Sequence, residues 1–257
     1  MTFRTVLALS AAVLAFSAGT VAVDGTVGTG TDRVTAAELG PGPVPHETPR
    51  VTTAKLKRVD SIELDAESLV FRRGDKIVTE ASMRDARTMV GLLNRLLGTP
   101  SRTQTAEGVG GACFPSGTTY TWGGAVRVAA LTTPAAAGNA VEIRVLRDSV
   151  RSRTGDEVEL HGPGGVQVGD DLRTAIEDAP STDRMSLGSD DARAYQLLLE
   201  PGWAPEHDES DRSDDGDADA DTDTAADLGT NGVSALTDDT TVTVLGSPMP
   251  VHAKRSC

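Results

Sequence analysis

Aromatic side chains make up only 3% of this 257-residue chain, and cysteine occurs twice. With so few aromatics the core must rest on Val, Leu, Ile and Ala, in a chain long enough for one or two domains. Two cysteines cannot make a disulfide-dense scaffold or a four-thiolate metal site. Histidine is also scarce: His46, His161, His207 and His252 stand far apart, with no metal-ligand spacing. His161 lies beside Gly162-Pro163-Gly164-Gly165 and reads as a turn residue facing solvent. Only Lys55, Lys57, Lys76 and Lys254 are lysines, which leaves 20 of the 24 basic residues as arginine. The basic residues are not gathered into the patch that a nucleic-acid surface needs. There is no G-x-S-x-G elbow and no G-x-x-x-x-G-K loop, so no catalytic or cofactor-binding residue is assigned and no cofactor or metal is expected.

Acidic charge is abundant, and most of its excess is local. Glu206 to Asp227 holds eleven acids against Arg212, a charge of -10, which leaves -4 of the total -14 for the remainder. An EF-hand-type loop needs oxygen ligands at positions 1, 3, 5, 7, 9 and 12, with Gly at 6 and Glu at 12. Starting at Asp217 puts Thr222 at 6 and Leu228 at 12, and starting at Asp219 puts Thr224 and Thr230 there. Neither register works. The alternation of Asp with Ala and Thr offers nothing apolar to dock, so residues 204–230 read as a disordered acidic loop.

At the other end, Arg4 precedes the uncharged run Thr5 to Val23. This reads as a secretory signal peptide over residues 1–22, cut after Ala22, with an uncleaved membrane anchor as the alternative. An exported chain meets oxidising conditions, where an even pair favours one bond between Cys113 and Cys257. Free thiols and a link to another chain are the alternatives. The single bond would close a long loop and contribute about 4 to 5 kcal/mol in the chain-entropy model.

Residues 23–57 are rich in Gly, Thr and Pro and read as a flexible spacer, so the folded domain is expected over 58–257. Alternation predicts a strand over 61–72, a turn at Arg73-Gly74-Asp75 and a short strand at 76–78. Ser82 and Asp85 resemble a capping box ahead of a helix ending at Gly98 and Pro100. Its apolar residues Met83, Ala86, Met89, Val90, Leu93, Leu96 and Leu97 recur at helical spacing. Gly123-Gly124 separates hairpin strands at 118–122 and 125–131, the first with Tyr120 and Trp122 on one face toward the helix. Further strands are expected at 141–146, 157–160, 194–200, 232–236 and 241–246. A short helix containing Leu172, Ala175 and Ile176 should open at Gly169-Asp170 and end at Pro180. The acidic loop then falls between two strands of one sheet.

In order, "LLNRLLGTP", a loop cysteine, "TTYTWGGAVRV", "GPGGVQVGDDLRTAI", "YQLLLEPG", "GVSALTDDTTVTVLGSP" and a terminal cysteine resemble uncharacterised secreted proteins of high-GC Gram-positive bacteria. The arginine excess agrees with GC-rich codon usage. The turn opening a helix before strands is also similar to small modules of bacterial envelope proteins and secreted beta-lactamase inhibitor proteins, although this chain has few of the aromatic residues that anchor interfaces. The resemblance implies an exported domain and assigns no catalytic residues. The expected fold is α+β, with two loosely similar halves, each a helix packed on antiparallel strands. The expected function is a non-enzymatic binding or envelope-associated domain, secreted or held at the cell envelope. Its partner would be an extracellular protein or envelope component, with a membrane only if the N-terminal run is retained. A secreted enzyme with an unrecognised carboxylate site and a calcium-dependent adhesion module are the alternatives. Because no calcium register exists, the full-length chain should unfold at the same midpoint in millimolar calcium and magnesium. A calcium-specific rise in a thermal scan would show that carboxylates converge on a real site.

Overall fold

In the computed structural model the described residues are 51–106, 116–135, 137–189, 192–202 and 230–252. All belong to one unit, residues 48–257. The expected signal peptide, most of the spacer, Cys113, Cys257, His46, His207 and the acidic loop up to residue 229 lie outside them.

The first element is a helical turn, α1 (Thr53–Leu56), capped by Thr52 and seated by Leu56, which is wholly buried. The segment expected to be spacer therefore contains a helical turn, because one leucine there finds the core. The strand expected over 61–72 is instead a hairpin, β1 (Ser61–Leu64) and β2 (Ser68–Arg73), with Asp65-Ala66-Glu67 as its turn. β3 (Lys76–Ser82) extends well beyond the short strand expected there. The main helix, α2 (Ala86–Leu97), is capped by Asp85, whose carboxylate accepts from the Thr88 amide (2.9 Å) and hydroxyl (2.6 Å). Ser82 is outside this cap; its hydroxyl accepts from the Arg84 amide. These bonds to the ionised form hold the Asp85 carboxyl below its usual range, the Thr88 hydroxyl contributing most.

β4 (Arg102–Ala106), where no strand is expected, pairs with β5 (Gly117–Trp122). The hairpin to β6 (Val126–Leu131) turns on the three residues Gly123, Gly124 and Ala125, with both glycines at positive φ. There follow β7 (Val141–Val145), β8 (Ser149–Arg151) and β9 (Glu157–His161). After a 3-10 turn at Pro163–Gly165 comes α3 (Arg173–Asp178), whose buried residue is Ile176. Asp170 does not cap it; the carboxylate accepts from the Gln167 amide and closes the preceding turn (2.8 Å). The chain ends in β10 (Arg184–Ser189), β11 (Ala192–Pro201), β12 (Gly232–Asp238) and β13 (Thr241–Ser247). β11 and β12 pair antiparallel, so the acidic segment does join neighbouring strands.

The fold mixes helix and strand, with strand dominant. One sheet has the order β3-β2-β1-β9-β8, and β1 pairs with β9 in parallel. The other has the order β10-β11-β12-β13-β7-β6-β5-β4, antiparallel throughout. Five residues of α2, Met89, Leu92, Leu93, Leu96 and Leu97, share one hydrophobic cluster with Phe71 and Leu160 of the first sheet and Trp122, Ile143 and Leu245 of the second. Trp122 faces α2 as expected, stacks on Tyr120 with ring centroids 6.1 Å apart, and donates its indole N–H to the Gly98 carbonyl (3.0 Å). That bond satisfies a carbonyl at the helix end and the one polar atom of the buried ring. Leu93→Ala should cost about 2 to 5 kcal/mol through the cavity it leaves. Asp85→Ala should cost about 1 kcal/mol through the lost cap. Urea unfolding of each variant measures both, and equal losses would contradict these assignments.

Candidate functional site

The eight-stranded sheet turns one face to the core and the other outward. Register defines the outward row: Thr121, Arg127, Arg144, Gly246, Ser234 and Leu198 lie side by side across β5, β6, β7, β13, β12 and β11. Their immediate chain neighbours Trp122, Val126, Val145, Leu245, Ala235 and Leu197 point to the core. Gln196 stands two residues before Leu198 and shares its face.

After β13 the chain bends onto this outward face. Arg144 Nη1 donates to the Pro248 carbonyl (3.3 Å) and to its neighbour's, that of Ile143 (3.1 Å). The Ser234 hydroxyl donates to the Met249 carbonyl (2.6 Å). Gln196 Nε2 donates to the carbonyls of Met249 (3.1 Å) and Pro250 (3.0 Å). Three consecutive carbonyls are thus held by side chains from three strands. The amides of Met249 and Val251 donate to Gly232 and Thr230, and His252 Nε2 lies 2.9 Å from the Ser181 carbonyl. Met249 and Val251 are buried, as are Gln196 and Ser234.

Gly246 leaves room for this seat. A Cβ there would stand 2.8 Å from Arg144 Nη1 and 3.0 Å from Met249 Sδ, so these flexible side-chain ends would have to shift to admit one. Its φ is not positive, so the requirement is space and not backbone freedom. The half-buried Arg144 has no ion pair with an acid among the described residues, in contrast to Arg72, which pairs with Glu63. Burial lowers the Arg144 pKa, opposed by the nearby Glu142 and reinforced by Arg127.

Two acidic features lie elsewhere. On the outward face of the five-stranded sheet, a concavity of about 620 Å³ is lined by Asp60, Ser61, Asp148, Ser149, Glu157 and Glu159. Both Asp60 oxygens accept from the Gly74 amide at 3.0 Å, and Asp148 accepts from the Ser149 hydroxyl. Among the described residues, no group of three or more His, Cys, Asp or Glu side chains is placed to hold a metal ion. The second feature surrounds Asp65 in the β1–β2 turn. Glu63 and Glu80 flank Val70 across the sheet, and Glu200 approaches from β11. Partial burial, then Glu63, Glu200 and Glu80, push the Asp65 pKa up to about 6 against the pull of Arg72.

Of the histidines within the described residues, His161 is half-buried at the end of β9 with Nδ1 3.4 Å from the Gly162 carbonyl, and His252 is exposed. They do not meet. Sequence reasoning missed Arg144, Gln196, Ser234 and Gly246, which carry no local motif. Strand alternation alone could have placed them on one face, given the pairing. No family model matches the chain, and no curated protein or solved structure matches it.

Asp65 gives a pH prediction. Its folded pKa lies above the unfolded value of 3.8, so the folded state binds its proton more tightly. The contribution of Asp65 to stability is then greatest below about pH 4 and is lost as pH rises through 6. Discounted for solvent screening of a half-exposed group, the loss is on the order of 1 kcal/mol. Asp65→Asn should remove that slope and raise stability at pH 8, as read by urea unfolding across pH 4 to 8. An unchanged slope would show that Asp65 is not its source.

Proposed function

We propose that this chain is an exported, non-enzymatic binding module whose platform is the outward face of the eight-stranded sheet. The observation that supports it most is the set of donors on that face: Arg144, Ser234 and Gln196 gather backbone carbonyls into a groove built around Gly246. Such donors recognise an extended chain without reading its side chains, as peptide-binding surfaces do. Export rests on the order of Arg4 and the apolar run behind it, with secretion or retention at the envelope as the destination. The partner is an extracellular protein or envelope component, and the resemblance of the segments quoted above to secreted proteins of high-GC Gram-positive bacteria fits that setting.

The two-halves reading belongs with this proposal. Each of α2 and α3 precedes a four-stranded meander, β4 to β7 and β10 to β13, and the last strands of the two meanders pair. A doubled unit of this kind makes a sheet wide enough to serve as a platform.

A secreted enzyme is the second reading, favoured by the acidic concavity of Asp60, Asp148, Glu157 and Glu159. Calcium-dependent adhesion through residues 206–227 is a third reading, answered by the calcium comparison above. Site-specific photo-crosslinking separates the first two. A crosslinker replacing the exposed Arg127, on the outward face, should capture a macromolecule from the culture medium or envelope fraction, and one replacing Glu157 should not. Capture at 157 alone would overturn the binding-platform reading in favour of the concavity.

A further inference from the structure

Beside the end of α2 lies a concavity of about 350 Å³ lined by Thr53, Lys57, Arg95, Leu96, Arg153 and Thr154. Its three cations come from three places: Lys57 caps α1, Arg95 stands in the last turn of α2, and Arg153 lies in the turn between β8 and β9. Each follows or precedes a buried residue in sequence, Leu56, Leu96 and Ser152 respectively, which fixes its backbone. The Arg153 amide donates to the Leu96 carbonyl (2.7 Å) and fastens the turn to the helix. Arg95 Nη1 donates to the Val51 carbonyl (2.9 Å), which steadies one edge of its guanidinium.

Acids outnumber bases in this chain by 38 to 24, yet none lines this concavity. None of its three cations forms an ion pair with an acid among the described residues. Asp156, the acid of the same turn, is engaged within it: its carboxylate accepts from the Thr154 hydroxyl (2.7 Å), and its amide donates to the Ser152 hydroxyl (3.1 Å). Glu157, next along, lines the acidic concavity instead. The negative end of the α2 dipole amounts to about half an elementary charge and offsets only a fraction of three positive ones. Arg153 also borders an adjoining hollow with Asn94, Thr99 and Pro100, which is acid-free as well. A positive potential is thus concentrated at one place on an acidic protein. A carboxylate would bring two oxygens and one charge, whereas a phosphomonoester brings three oxygens and up to two charges. Two guanidinium groups, an ammonium and the Thr53 hydroxyl match the second better.

We propose that this concavity binds a phosphomonoester, with Lys57, Arg95 and Arg153 as its ligands. It shares no residue with the groove on the eight-stranded sheet and does not depend on the binding-module reading. Exposed cations hold an anion weakly and in a salt-dependent way, so the dissociation constant for inorganic phosphate should be on the order of millimolar.

The test is a titration of the isotope-labelled full-length chain with inorganic phosphate at constant ionic strength, followed through amide NMR shifts. The amides of Lys57, Arg95 and Arg153 should shift together and saturate. Arg153→Gln, at an exposed side chain whose backbone bond is kept, should weaken binding about 5-fold, and adding Arg95→Gln should abolish saturation. Arg151→Gln removes the same charge from an exposed position on β8 outside the concavity and should leave binding unchanged. An equal loss in Arg151→Gln, or equal shifts with sodium chloride at the same ionic strength, would reduce the effect to general screening and overturn the proposal. Glycerol phosphate and vesicles containing phosphatidic acid then distinguish the carriers of the group. Arg153-dependent binding of the first assigns a soluble phosphomonoester and of the second a lipid headgroup, whereas refusal of both overturns the site.

Discussion

The antiparallel seam between β7 and β13 is the constraint on which most else depends. It consists of three partner pairs, Ile143 with Ser247, Arg144 with Gly246, and Val145 with Leu245, and it alone joins the two meanders into one eight-stranded sheet. Its inward residues Ile143, Val145 and Leu245 lie in the core, where a chain poor in aromatics must rely on close-packed aliphatic side chains. The fully buried Ser247 donates to the Ala66 carbonyl (2.8 Å), tying the seam to the turn of the other sheet. Its outward pair, Arg144 and Gly246, forms the floor of the groove. Continuity of the sheet, attachment of the smaller sheet and the seat of the C-terminal segment share three rungs of one ladder.

Polar groups rather than apolar area define the outward face. Arg144 has no ion pair with an acid among the described residues and donates to two backbone carbonyls, whose partial negative charge stabilises the guanidinium without neutralising it.

Legibility in the sequence followed the range of the interactions involved. The α2 stripe, Trp122 facing it, the Gly123-Gly124 hairpin and β11 pairing with β12 across the acidic segment were readable because each depends on neighbours a few residues away or on a strict alternation. β4, β8 and β10 were missed, since "RTQTA" and "RMSLGS" show little apolar alternation and become strands by pairing with β5 and β11. The cap went to Asp85 in place of Ser82 because Thr88 supplies both an amide and a hydroxyl within reach. The groove was invisible: Arg144, Gln196, Ser234 and Gly246 come from four strands and acquire meaning only through register.

The eight-stranded sheet does not close on itself, and β4 stands at one end of its order with all five residues exposed. An end strand offers a template for uncontrolled self-association, the hazard that closed barrels avoid by having no ends. Arg102, Gln104 and the threonines of β4 supply charge and hydration where a Val-rich strand would invite stacking with a neighbouring molecule. The polarity that concealed this strand in the sequence is thus what discourages edge-to-edge pairing of one molecule with the next.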